Sequence, residues 1–444
     1  MTSETIFALS SGTVPSGVAV VRISGKGATT ALIELGGSIP EERIATKRTI
    51  RGRDGLPIDS AIVLYFKAPR SFTGEDSVEF QLHGSPAVVS AVMRRLSELD
   101  GFRHAQPGEF TRRAFENAKL DLAAAEALGD LIASETEAQR RLAMRGLGTE
   151  MRLACDGWRD RLLHARAMIE AELDFSDEED VPGSISEAVW IDVAALVEEI
   201  RAYQLASERA GKVRDGIMVA IAGAPNAGKS SLLNALAGRD AAIVSELPGT
   251  TRDVIEVKLD LGGYLVVLAD TAGIRSSDDR IEKIGIERAR MAVEQADIVL
   301  SLAEPGSAFV TGEEKDRRSI RVRTKTDIGH AGPAGAGSLT VDQGGLGISV
   351  ATGEGLIQLE QRLAYEIRSA LGDLSSVLPV RERHAELLER AQQALYSALS
   401  DNQMPLELRA EHLRHAADEI GRITGAISTE DLLDVIFRQF CIGK

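Results

Sequence analysis

Apolar runs and alternating positions dominate the first quarter of the chain. Val18–Ile23 and Ala61–Phe66 are rich in β-branched residues, and Ser77–Leu82 alternates between apolar and polar side chains. These patterns predict β-strands, whereas the apolar spacing over Val88–Leu99 predicts an α-helix. We therefore expect residues 1–118 to form a mixed α/β domain.

The apolar positions take on a helical period from Lys119 onward. A recurrence close to 3.6 residues predicts long helices up to about Leu173, and the same spacing resumes over Ile185–Ala210. Helical character returns after about Ser369. The apolar residues that define the first stretch are Leu120, Ala124, Leu128, Leu131, Leu142 and Leu147, and those on one face of the last stretch are Leu387, Leu388, Ala391 and Leu395.

Strand-like and helix-like segments alternate between residues 212 and 369. Ile217–Ala222 and Leu265–Ala269 are continuous apolar runs, which are typical of parallel strands buried on both faces. The alternation predicts a doubly wound α/β domain. We expect this domain to be inserted between two helical segments, residues 119–211 and 370–444, that pack as one discontinuous domain.

Composition narrows the class of protein. The 444 residues are 44% hydrophobic and 27% charged, and no apolar run reaches the roughly 18 residues that a membrane span needs. The first residues resemble neither a secretory signal nor a transit peptide, so we expect a cytoplasmic protein without membrane contact. The two cysteines, Cys155 and Cys441, match no disulfide framework or metal spacing. Cys155 is expected to be buried packing.

The net charge of −16 bears on nucleic-acid binding. An acidic chain binds RNA only through a local basic patch, and an aromatic content of 4% argues against a base-stacking surface. The charge therefore indicates that any RNA contact is shared with a partner. The candidate basic clusters, each more simply read as a solvated helix face, are Arg94–Arg95, Arg112–Arg113, Arg140–Arg141 and Arg318–Lys325.

A phosphate-binding motif follows the first of the two apolar runs. Gly223–Ser230 fits G-x-x-x-x-G-K-[ST], and a helical pattern, Ser231–Leu236, comes next. A strand before the motif and a helix after it are the context in which such a loop cradles phosphates with its backbone N–H groups. Lys229 is expected to neutralise the β- and γ-phosphates, and the Ser230 hydroxyl to bind Mg²⁺.

Two further segments have the order and spacing of GTPase switch regions. Asp270–Gly273 follows the second apolar run, and a carboxylate at that strand end can hold the metal's water shell. Gly249–Asp253 supplies a threonine, Thr251, to complete the Mg²⁺ shell when the γ-phosphate is present. No glutamine follows Asp270–Gly273 to orient the attacking water, so another residue must do so.

The base-recognition motif departs from the usual Asn-Lys-x-Asp. Thr324-Lys325-Thr326-Asp327 keeps the aspartate that accepts hydrogen bonds from guanine, but has Thr324 in place of asparagine. We expect GTP specificity, with the loss of a contact that braces the phosphate loop. Ser349-Val350 is a weak match to the Ser-Ala that usually follows.

Motifs outside the nucleotide site carry a family resemblance. They are Gly17-Val18 with Arg22–Gly25, Ser71–Asp76, Glu79 with His83-Gly84, Pro107–Thr111, Ala114-Phe115 with Asn117 and Lys119–Leu122, and Phe440–Lys444. With a phosphate-loop domain inserted between helices, the chain resembles the tRNA modification GTPase family MnmE, also called TrmE, over nearly its whole length.

The resemblance implies four segments. Residues 1–118 would form a folate-binding domain that also makes a homodimer, residues 119–211 and 370–444 a discontinuous helical domain, and residues 212–369 a Ras-like TrmE-type G domain. It also implies that 5-formyl- or 5,10-methylene-tetrahydrofolate binds at the matching positions Arg22, Glu79, Lys119 and Lys444. By residue type alone, each of these is more often part of a surface ion pair.

The resemblance further implies a K⁺-dependent GTPase. Asn226, Ser245, Leu247 and Thr250 match the K⁺ ligands of the family, and a fixed cation there stabilises charge on the transferring phosphoryl group. Glu282 matches the residue that orients the catalytic water, in the role left open by the missing glutamine. Arg252 and Arg275 rank below K⁺ as sources of positive charge.

The expected GTP contacts come from four segments. They are Asn226, Ala227, Gly228, Lys229, Ser230 and Ser231; Ser245, Glu246, Leu247, Pro248, Gly249, Thr250 and Thr251; Asp270, Thr271, Ala272 and Gly273; and Thr324, Lys325 and Asp327. With Glu282, Lys229 and Asp270 form the expected catalytic set. The sequence leaves three alternatives for Cys441: a catalytic nucleophile, a folate-site residue, or a buried packing residue beside Phe440.

The implied function is modification of the tRNA wobble uridine. An FAD-dependent partner of the MnmG (GidA) type would form a heterotetramer with this chain and add an aminomethyl or carboxymethylaminomethyl group at carbon 5. Two other functions are considered. A ribosome-assembly GTPase would share the nucleotide and K⁺ residues but would bind no folate, and a scaffold with a degenerate G domain would show no K⁺-stimulated turnover.

Overall fold

The fold was determined as a computed structural model. It describes residues 4–174, 185–238, 243, 256–269, 291–309, 318–328, 345–372, 381–400, 404–427, 433, 436–438, 440, 441 and 443. None of the described helices is long and apolar enough to cross a membrane.

The chain divides into two compact units. One unit contains Met1–Gly129, Leu147–Ala194 and Gln393–Lys444, and the other contains Asp130–Gly146 and Ala195–Gln392. The helical segments that flank the phosphate-loop region are therefore shared between the units. Each unit is built around one six-stranded sheet.

The sheet of the first unit is mostly antiparallel. Its spatial order is β3-β4-β5-β2-β1-β6, and only β1 and β6 pair in parallel. The predicted strands Val18–Ile23, Ala61–Phe66 and Ser77–Leu82 are confirmed within β2, β4 and β5. The strands are β1 (Thr5–Leu9), β2 (Ser16–Ser24), β3 (Thr46–Arg51), β4 (Pro57–Phe66), β5 (Ser77–Gly84) and β6 (Phe102–His104).

Two helices bury one face of this sheet. They are α1 (Ala28–Gly36) and α2 (Pro86–Ser97), and α2 confirms the helix predicted over Val88–Leu99. Phe7, Val21 and Phe80 point into this apolar core. Because side chains alternate along a strand, Ala8 and Arg22 face the opposite side of the sheet, where Ile6, Ala8 and Phe110 form a smaller cluster.

Three more described helices lie wholly in the first unit and a fourth, α4 (Leu122–Ala133), lies mostly in it. The three are α3 (Glu109–Glu116), α6 (Glu150–Asp174) and, near the end of the chain, α11 (Leu406–Thr424). Helix α6 packs along α11, and the fully buried Trp158 lies on α6. Cys155, also on α6, is buried as expected. The prediction was wrong for Leu120 and Leu147, which lie outside the helices because the chain breaks before α4 and between α5 (Glu137–Gly146) and α6.

The sheet of the second unit has the order β12-β11-β10-β7-β9-β8. All neighbours pair in parallel except β8 and β9, which form an antiparallel hairpin. The apolar runs Ile217–Ala222 and Leu265–Ala269 are confirmed as strands. The strands are β7 (Ile217–Gly223), β8 (Glu256–Leu261), β9 (Tyr264–Ala269), β10 (Ile298–Ala303), β11 (Arg318–Arg323) and β12 (Leu346–Gly347).

Both faces of the second sheet are covered, as in a doubly wound fold. Val219 and Ile221 of β7 pack into the larger core, whereas Ala220 packs with Ala296 and Val299 on the other face. Helices α5, α8 (Lys229–Ala237) and α9 (Leu356–Leu371) contribute to the larger core. The remaining helices are α7 (Ile185–Asp215) and α10 (Glu382–Ser400), which extend through both units. On α10 the predicted apolar face is confirmed, since Leu387, Leu388, Ala391 and Leu395 are buried.

Candidate functional site

The predicted phosphate loop lies between a central strand and a helix. Strand β7 ends at Gly223, and α8 begins at Lys229. Gly228 has φ 88° and Asn226 has φ 67°, both in the left-handed region, so the backbone reverses tightly at these positions. A Cβ atom on Gly223 would lie 2.6 Å from the carbonyl oxygen of Leu302 on the neighbouring strand. Glycine is therefore required where the loop leaves β7.

The Lys229 side chain folds back over the start of this loop. Its ammonium group donates to the carbonyl oxygens of Gly223 (2.9 Å) and Ala224 (3.0 Å). Ser230 and Ser231 follow in the first turn of α8, and both are exposed. The helix N-terminus has unpaired N–H groups and a partial positive charge, so the loop, the helix end and Lys229 together suit a polyphosphate.

The base-recognition segment is joined directly to the phosphate loop. The Thr324 hydroxyl donates to the carbonyl oxygen of Ala227 at 2.9 Å, and Thr324 is buried. The expected loss of the bracing contact was therefore wrong, because the threonine hydroxyl makes such a contact itself. Thr324 follows β11, whose carboxyl end lies beside that of β10 in the parallel sheet.

Asp327 is held in place by Ser349, which belongs to the segment that only weakly matches the usual Ser-Ala motif. The hydroxyl of Ser349, which is fully buried, donates to Asp327 Oδ1 at 2.6 Å. Asp327 itself is exposed, so its second oxygen is available to a ligand. Lys325 has φ 57° and its ammonium group pairs with Glu304. The Ser349 contact was missed because it depends on a turn between β12 and α9.

Many predicted site residues lie outside the described part of the chain. Their roles stay predictions from the sequence. They are Ser245, Glu246, Leu247, Pro248, Gly249, Thr250, Thr251, Asp270, Thr271, Ala272, Gly273, Glu282 and Lys444, and the same holds for Arg252 and Arg275. Among the described residues, no group of three or more His, Cys, Asp or Glu side chains is placed to hold a metal ion.

A second candidate site lies on the open face of the N-terminal sheet. Arg22 on β2 and Glu79 on β5 are directly opposite in register, and Arg22 Nη2 lies 2.9 Å from Glu79 Oε1. The Arg22 guanidinium also lies 5.6 Å from the ring centroid of Phe72 and 5.8 Å from that of Phe110. A cation, a carboxylate and two aromatic rings therefore meet on one face, which suits a ligand that is aromatic and carries both hydrogen-bond donors and negative charge.

Lys119 reaches the same loop from another direction. Its ammonium group donates to the carbonyl oxygen of Pro69 at 2.9 Å, and its stem lies 3.4 Å from a Cβ built on Gly74. The Asn117 amide donates to the carbonyl oxygen of Thr73 at 2.7 Å. The structure thus brings Arg22, Phe72 and Lys119 together around the loop of residues 69–76.

A buried polar network supports this loop. The Ser24 hydroxyl lies 2.6 Å from the Thr73 hydroxyl and donates to Glu75 at 2.8 Å. Arg113, which is only 3% exposed, donates to both Glu75 (2.9 Å) and Glu109 (3.1 Å). Sequence reasoning assigned no role to Arg113 and placed it in a solvated basic cluster, which was wrong. The motif Ser71–Asp76 could have indicated this network in the sequence, because its polar residues cannot be buried without hydrogen-bond partners.

The electrostatics of this network favour an ionised Glu109. Burial raises the pKa of the Glu109 carboxyl, but hydrogen bonds from Arg103 and the Gln106 amide, and the nearby charge of Arg113, outweigh burial and lower the pKa below its ordinary value of 4.5. Glu109 is also the first residue of α3, where a carboxylate is favourable. The network is therefore built around permanent charges.

The end of the chain joins the N-terminal sheet. The Ser10 hydroxyl donates to the carbonyl oxygen of Gly443 at 2.7 Å, and the Gly108 N–H donates to that of Cys441 at 3.4 Å. Ser10 directly follows β1, which pairs with β2 so that Ala8 lies opposite Arg22. Cys441 is exposed, so the alternative of buried packing was wrong. The last residues are thus anchored near the candidate site of Arg22.

The nucleotide site defines the class of protein. A phosphate loop between β7 and α8, with Asp327 held at the adjacent strand end of a doubly wound sheet, is the arrangement of a P-loop GTPase. Comparison with known families agrees. The MnmE helical domain matches residues 122–441, and the GTP-binding protein TrmE N-terminus matches residues 5–119.

Curated relatives extend the match to the whole chain. The tRNA modification GTPase MnmE of Brucella ovis is 51% identical over 442 residues, covering 99% of this chain and 98% of the relative. That of Rhizobium meliloti is 49% identical over 444 residues, covering all of both chains. Among solved structures, the G domain of the T. maritima FeoB iron transporter is 26% identical and covers 34% of this chain and 98% of its own, with a TM-score of 0.23.

The chain belongs to the MnmE (TrmE) family of GTPases. Its fold combines a TrmE-type N-terminal domain, a helical domain and a G domain, and its enzymatic class is GTP hydrolase.

Proposed function

We propose that this chain is a K⁺-activated GTPase that takes part in modifying the wobble uridine of tRNA. With an FAD-dependent MnmG-type partner it would add an aminomethyl or carboxymethylaminomethyl group at carbon 5. The full-length identity to relatives named tRNA modification GTPase supports this function. The observation that carries it is the coexistence in one chain of the nucleotide site at Lys229 and Asp327 with the separate site at Arg22 and Glu79.

GTP binding assigns roles to the described residues. The backbone of Asn226–Ser231 would surround the phosphates, Lys229 would neutralise them, and Asp327 would accept hydrogen bonds from guanine. Ser230 and Thr251 would hold Mg²⁺, which neutralises phosphate charge. The exposed Ser230 at the start of α8 supports this assignment.

K⁺ and Glu282 complete the proposed hydrolytic machinery. Asn226 is exposed in the phosphate loop, and its amide oxygen suits a monovalent cation, as would the matching groups of Ser245, Leu247 and Thr250. K⁺ in that position would supply positive charge to the transferring phosphoryl group. Glu282 would orient the attacking water, with Asp270 acting through the metal's water shell.

The N-terminal site fits a reduced folate. Folate has an aromatic-like pterin with N–H donors and a glutamate tail with carboxylates. Glu79 would accept from the pterin, Phe72 would pack against it, and Arg22, Lys119 and Lys444 would attract the anionic tail. The contacts of Arg22 and Lys119 with one loop support a common ligand. Tetrahydrofolate would supply a one-carbon unit, and the exposed Cys441 remains a candidate for taking part in that chemistry.

The remaining proposals concern assembly. The four segments 1–118, 119–211, 212–369 and 370–444 are proposed as domains, with a homodimer formed through the first. Val18, on the central strand β2, is 56% exposed, and Phe72 is 38% exposed, so an apolar surface is present that a second copy would cover. A heterotetramer with the MnmG-type protein would act on tRNA in the cytoplasm.

Reconstitution tests the function. The purified chain, an MnmG-type protein, unmodified tRNA, GTP, K⁺, methylene-tetrahydrofolate, FAD, NADH and ammonium are combined, and the tRNA nucleosides are analysed by mass spectrometry. We expect 5-aminomethyluridine only when both proteins and GTP are present, and none with Lys229→Ala. Equal modification without this chain would contradict the proposal.

A ribosome-assembly GTPase is the alternative function. Folate binding distinguishes the two functions, because a ribosome-assembly GTPase needs no folate site at Arg22. Titration with 5-formyltetrahydrofolate is expected to give saturable binding that weakens about tenfold or more in Arg22→Gln, since a charge-assisted hydrogen bond is worth roughly 1.5–3 kcal/mol. Arg94→Gln, an exposed arginine of the same unit, serves as the control and is expected to bind normally. Absence of folate binding by the unchanged protein would favour the alternative.

A further inference from the structure

The edge strand of the N-terminal sheet is strongly basic. Residues 43–53 contain five cations and no acid, in a chain whose net charge is −16. Strand β3 lies at the end of the sheet order, so one of its sides has no strand neighbour. We call Lys47, Arg48, Arg51 and Arg53 the basic edge.

The hydrogen bonds of the basic edge go to neutral oxygen atoms. Among the described residues, none of the four forms an ion pair with a carboxylate. Arg48 donates to the Ser38 hydroxyl (3.3 Å) and the Lys47 carbonyl oxygen (3.2 Å), and Arg51 donates to the Gly55 carbonyl oxygen (2.9 Å). Their positive charge is therefore not neutralised locally.

Several arginines of the basic clusters singled out in the sequence do have a carboxylate partner. Arg95 pairs with Glu34, Arg112 with Glu116, Arg140 and Arg141 with Glu137, and Arg318 with Glu366. The charge of these five arginines is therefore partly neutralised. The basic edge, by contrast, brings four neighbouring cations together without an ion pair among the described residues.

Nearby acids are already engaged elsewhere. Asp54 accepts a hydrogen bond from the Leu56 N–H in the β3–β4 turn, Asp59 accepts from the His83 N–H and pairs with its ring, and Glu42 pairs with Arg70. Each of these carboxylates therefore has a partner outside the basic edge.

The arrangement suits an extended polyanion. Lys47 and Arg51 are exposed on the same side of β3, because alternate residues of a strand share a side, and Arg53 follows in the turn. At about 3.3 Å per residue, Lys47 and Arg51 lie roughly 13 Å apart along β3, far enough to meet more than one phosphate of one RNA strand.

We propose that the basic edge binds the sugar–phosphate backbone of the tRNA. This rests on the proposed function, which supplies the RNA. Because the chain as a whole carries excess negative charge, a local group of cations such as the basic edge is needed to attract a phosphate backbone. Edge-to-edge addition of a second copy through β3 is disfavoured, since the same cations would face one another.

Salt-dependent binding tests the proposal. Removal of a cation that contacts a phosphate weakens binding for all sequences and lowers the salt slope by about one. Affinity for an unmodified tRNA transcript is measured by filter binding between about 50 and 200 mM KCl. The variant is Lys47→Gln with Arg51→Gln, which keeps long polar side chains at both positions. Its matched control is Arg140→Gln with Arg141→Gln, which removes the same charge from a carboxylate-paired cluster.

Three outcomes of this experiment are distinguishable. We expect the β3 variant to bind tRNA on the order of tenfold more weakly with a slope smaller by about 1.5–2, while the control binds like the unchanged protein. Both variants should keep normal GTP turnover, which verifies folding. Unchanged affinity and salt slope in the β3 variant would overturn the proposal that the basic edge binds tRNA, and would leave the proposed function unaffected. The cations would then serve to block the addition of another strand at this edge. Absence of tRNA binding by the unchanged protein would overturn both the surface and direct action on tRNA.

Discussion

Thr324 and Ala227 are 97 residues apart in the sequence, yet the Thr324 hydroxyl donates a 2.9 Å hydrogen bond to the Ala227 carbonyl oxygen. This bond connects the segment predicted to recognise the base to the loop predicted to bind the phosphates. Thr324 thus makes a contact of the kind expected from the usual asparagine.

Removal of the Thr324 hydroxyl tests this connection. Thr324→Val keeps the shape of the side chain but leaves a buried carbonyl oxygen without its donor, at a cost of about 1–3 kcal/mol. We expect affinity for GTP to fall about fivefold or more, measured by fluorescence of a labelled nucleotide. Thr326→Val removes an exposed hydroxyl from the same segment and is expected to bind normally. Equal affinities for all three proteins would show that the contact does not support the loop.

Asp327 provides the second prediction. Asp327→Asn loses the acceptor pair for the guanine N–H groups and gains an amide donor that matches the O2 atom of xanthine. Two charge-assisted hydrogen bonds, each worth roughly 1.5–3 kcal/mol, are lost for guanine, so GTP affinity should fall about 100-fold and XTP should bind more tightly than GTP. Ser349→Ala frees Asp327 Oδ1 and also removes the acceptor of the Thr352 N–H, and it is expected to weaken GTP binding by a few fold. A retained preference for GTP in Asp327→Asn would contradict the role of Asp327.

Much of the nucleotide site was predictable because it depends on local sequence. The phosphate loop needs Gly228 and Lys229 at fixed spacing between a strand and a helix, and both elements have strong local patterns. The contacts of Thr324 and Ser349 were not predictable, since they join segments that meet only after the parallel strands assemble. A hydroxyl also gives no sign in the sequence of which carbonyl it will reach.

The N-terminal site was predictable only in part. The resemblance identified Arg22, Glu79 and Lys119, but not the buried network of Arg113 and Glu75 that holds the intervening loop. Arg113 was misread because its neighbour Arg112 is half-exposed and paired on the surface, and adjacent arginines look alike in a sequence. Which cations are neutralised by carboxylates is decided by tertiary packing. The basic edge therefore became apparent only in the structure.

The lowered pKa of Glu109 predicts a pH dependence of stability. A carboxyl whose folded-state pKa lies below its unfolded value stabilises the fold above the unfolded pKa, and this contribution is lost as the pH falls through the folded pKa. The Glu109 contribution should thus be complete above about 4.5 and disappear at lower pH.

Urea unfolding of Glu109→Gln at about pH 7 and at about pH 4 measures this contribution. We expect the variant to be less stable than the unchanged protein near pH 7 and to lose less stability on acidification. Glu116→Gln, at the exposed end of the same helix, controls for the loss of one negative charge. Parallel acid profiles for Glu109→Gln and the unchanged protein would show that the Arg103 and Arg113 contacts do not stabilise the fold.

The position of Gly216, directly before strand β7 of the G domain, has room only for glycine. It has φ 96°, and an added Cβ would lie 2.9 Å from Val267 Cγ2 and 3.0 Å from Leu265 Cγ on β9. Gly216→Ala is expected to destabilise the unit by about 2–3 kcal/mol through backbone strain and overpacking. Gly211→Ala, on α7 with no atom within 4 Å, should instead be neutral or stabilising, by up to about 1 kcal/mol. Thermal unfolding of both variants checks the difference, and equal melting temperatures would contradict it.

Activation of GTP hydrolysis by K⁺ is the basis of the proposed function. GTP turnover by the purified protein is measured in K⁺ and in Na⁺ at equal ionic strength, with Glu282→Ala in parallel. A K⁺ ligand set at Asn226 and a water-orienting Glu282 predict fast turnover in K⁺, slow turnover in Na⁺, and loss of turnover in the variant with GTP binding retained. Equal rates in both salts would contradict activation by K⁺, and normal turnover by Glu282→Ala would contradict the role of Glu282; Arg252 and Arg275 would then be the next candidates for substitution.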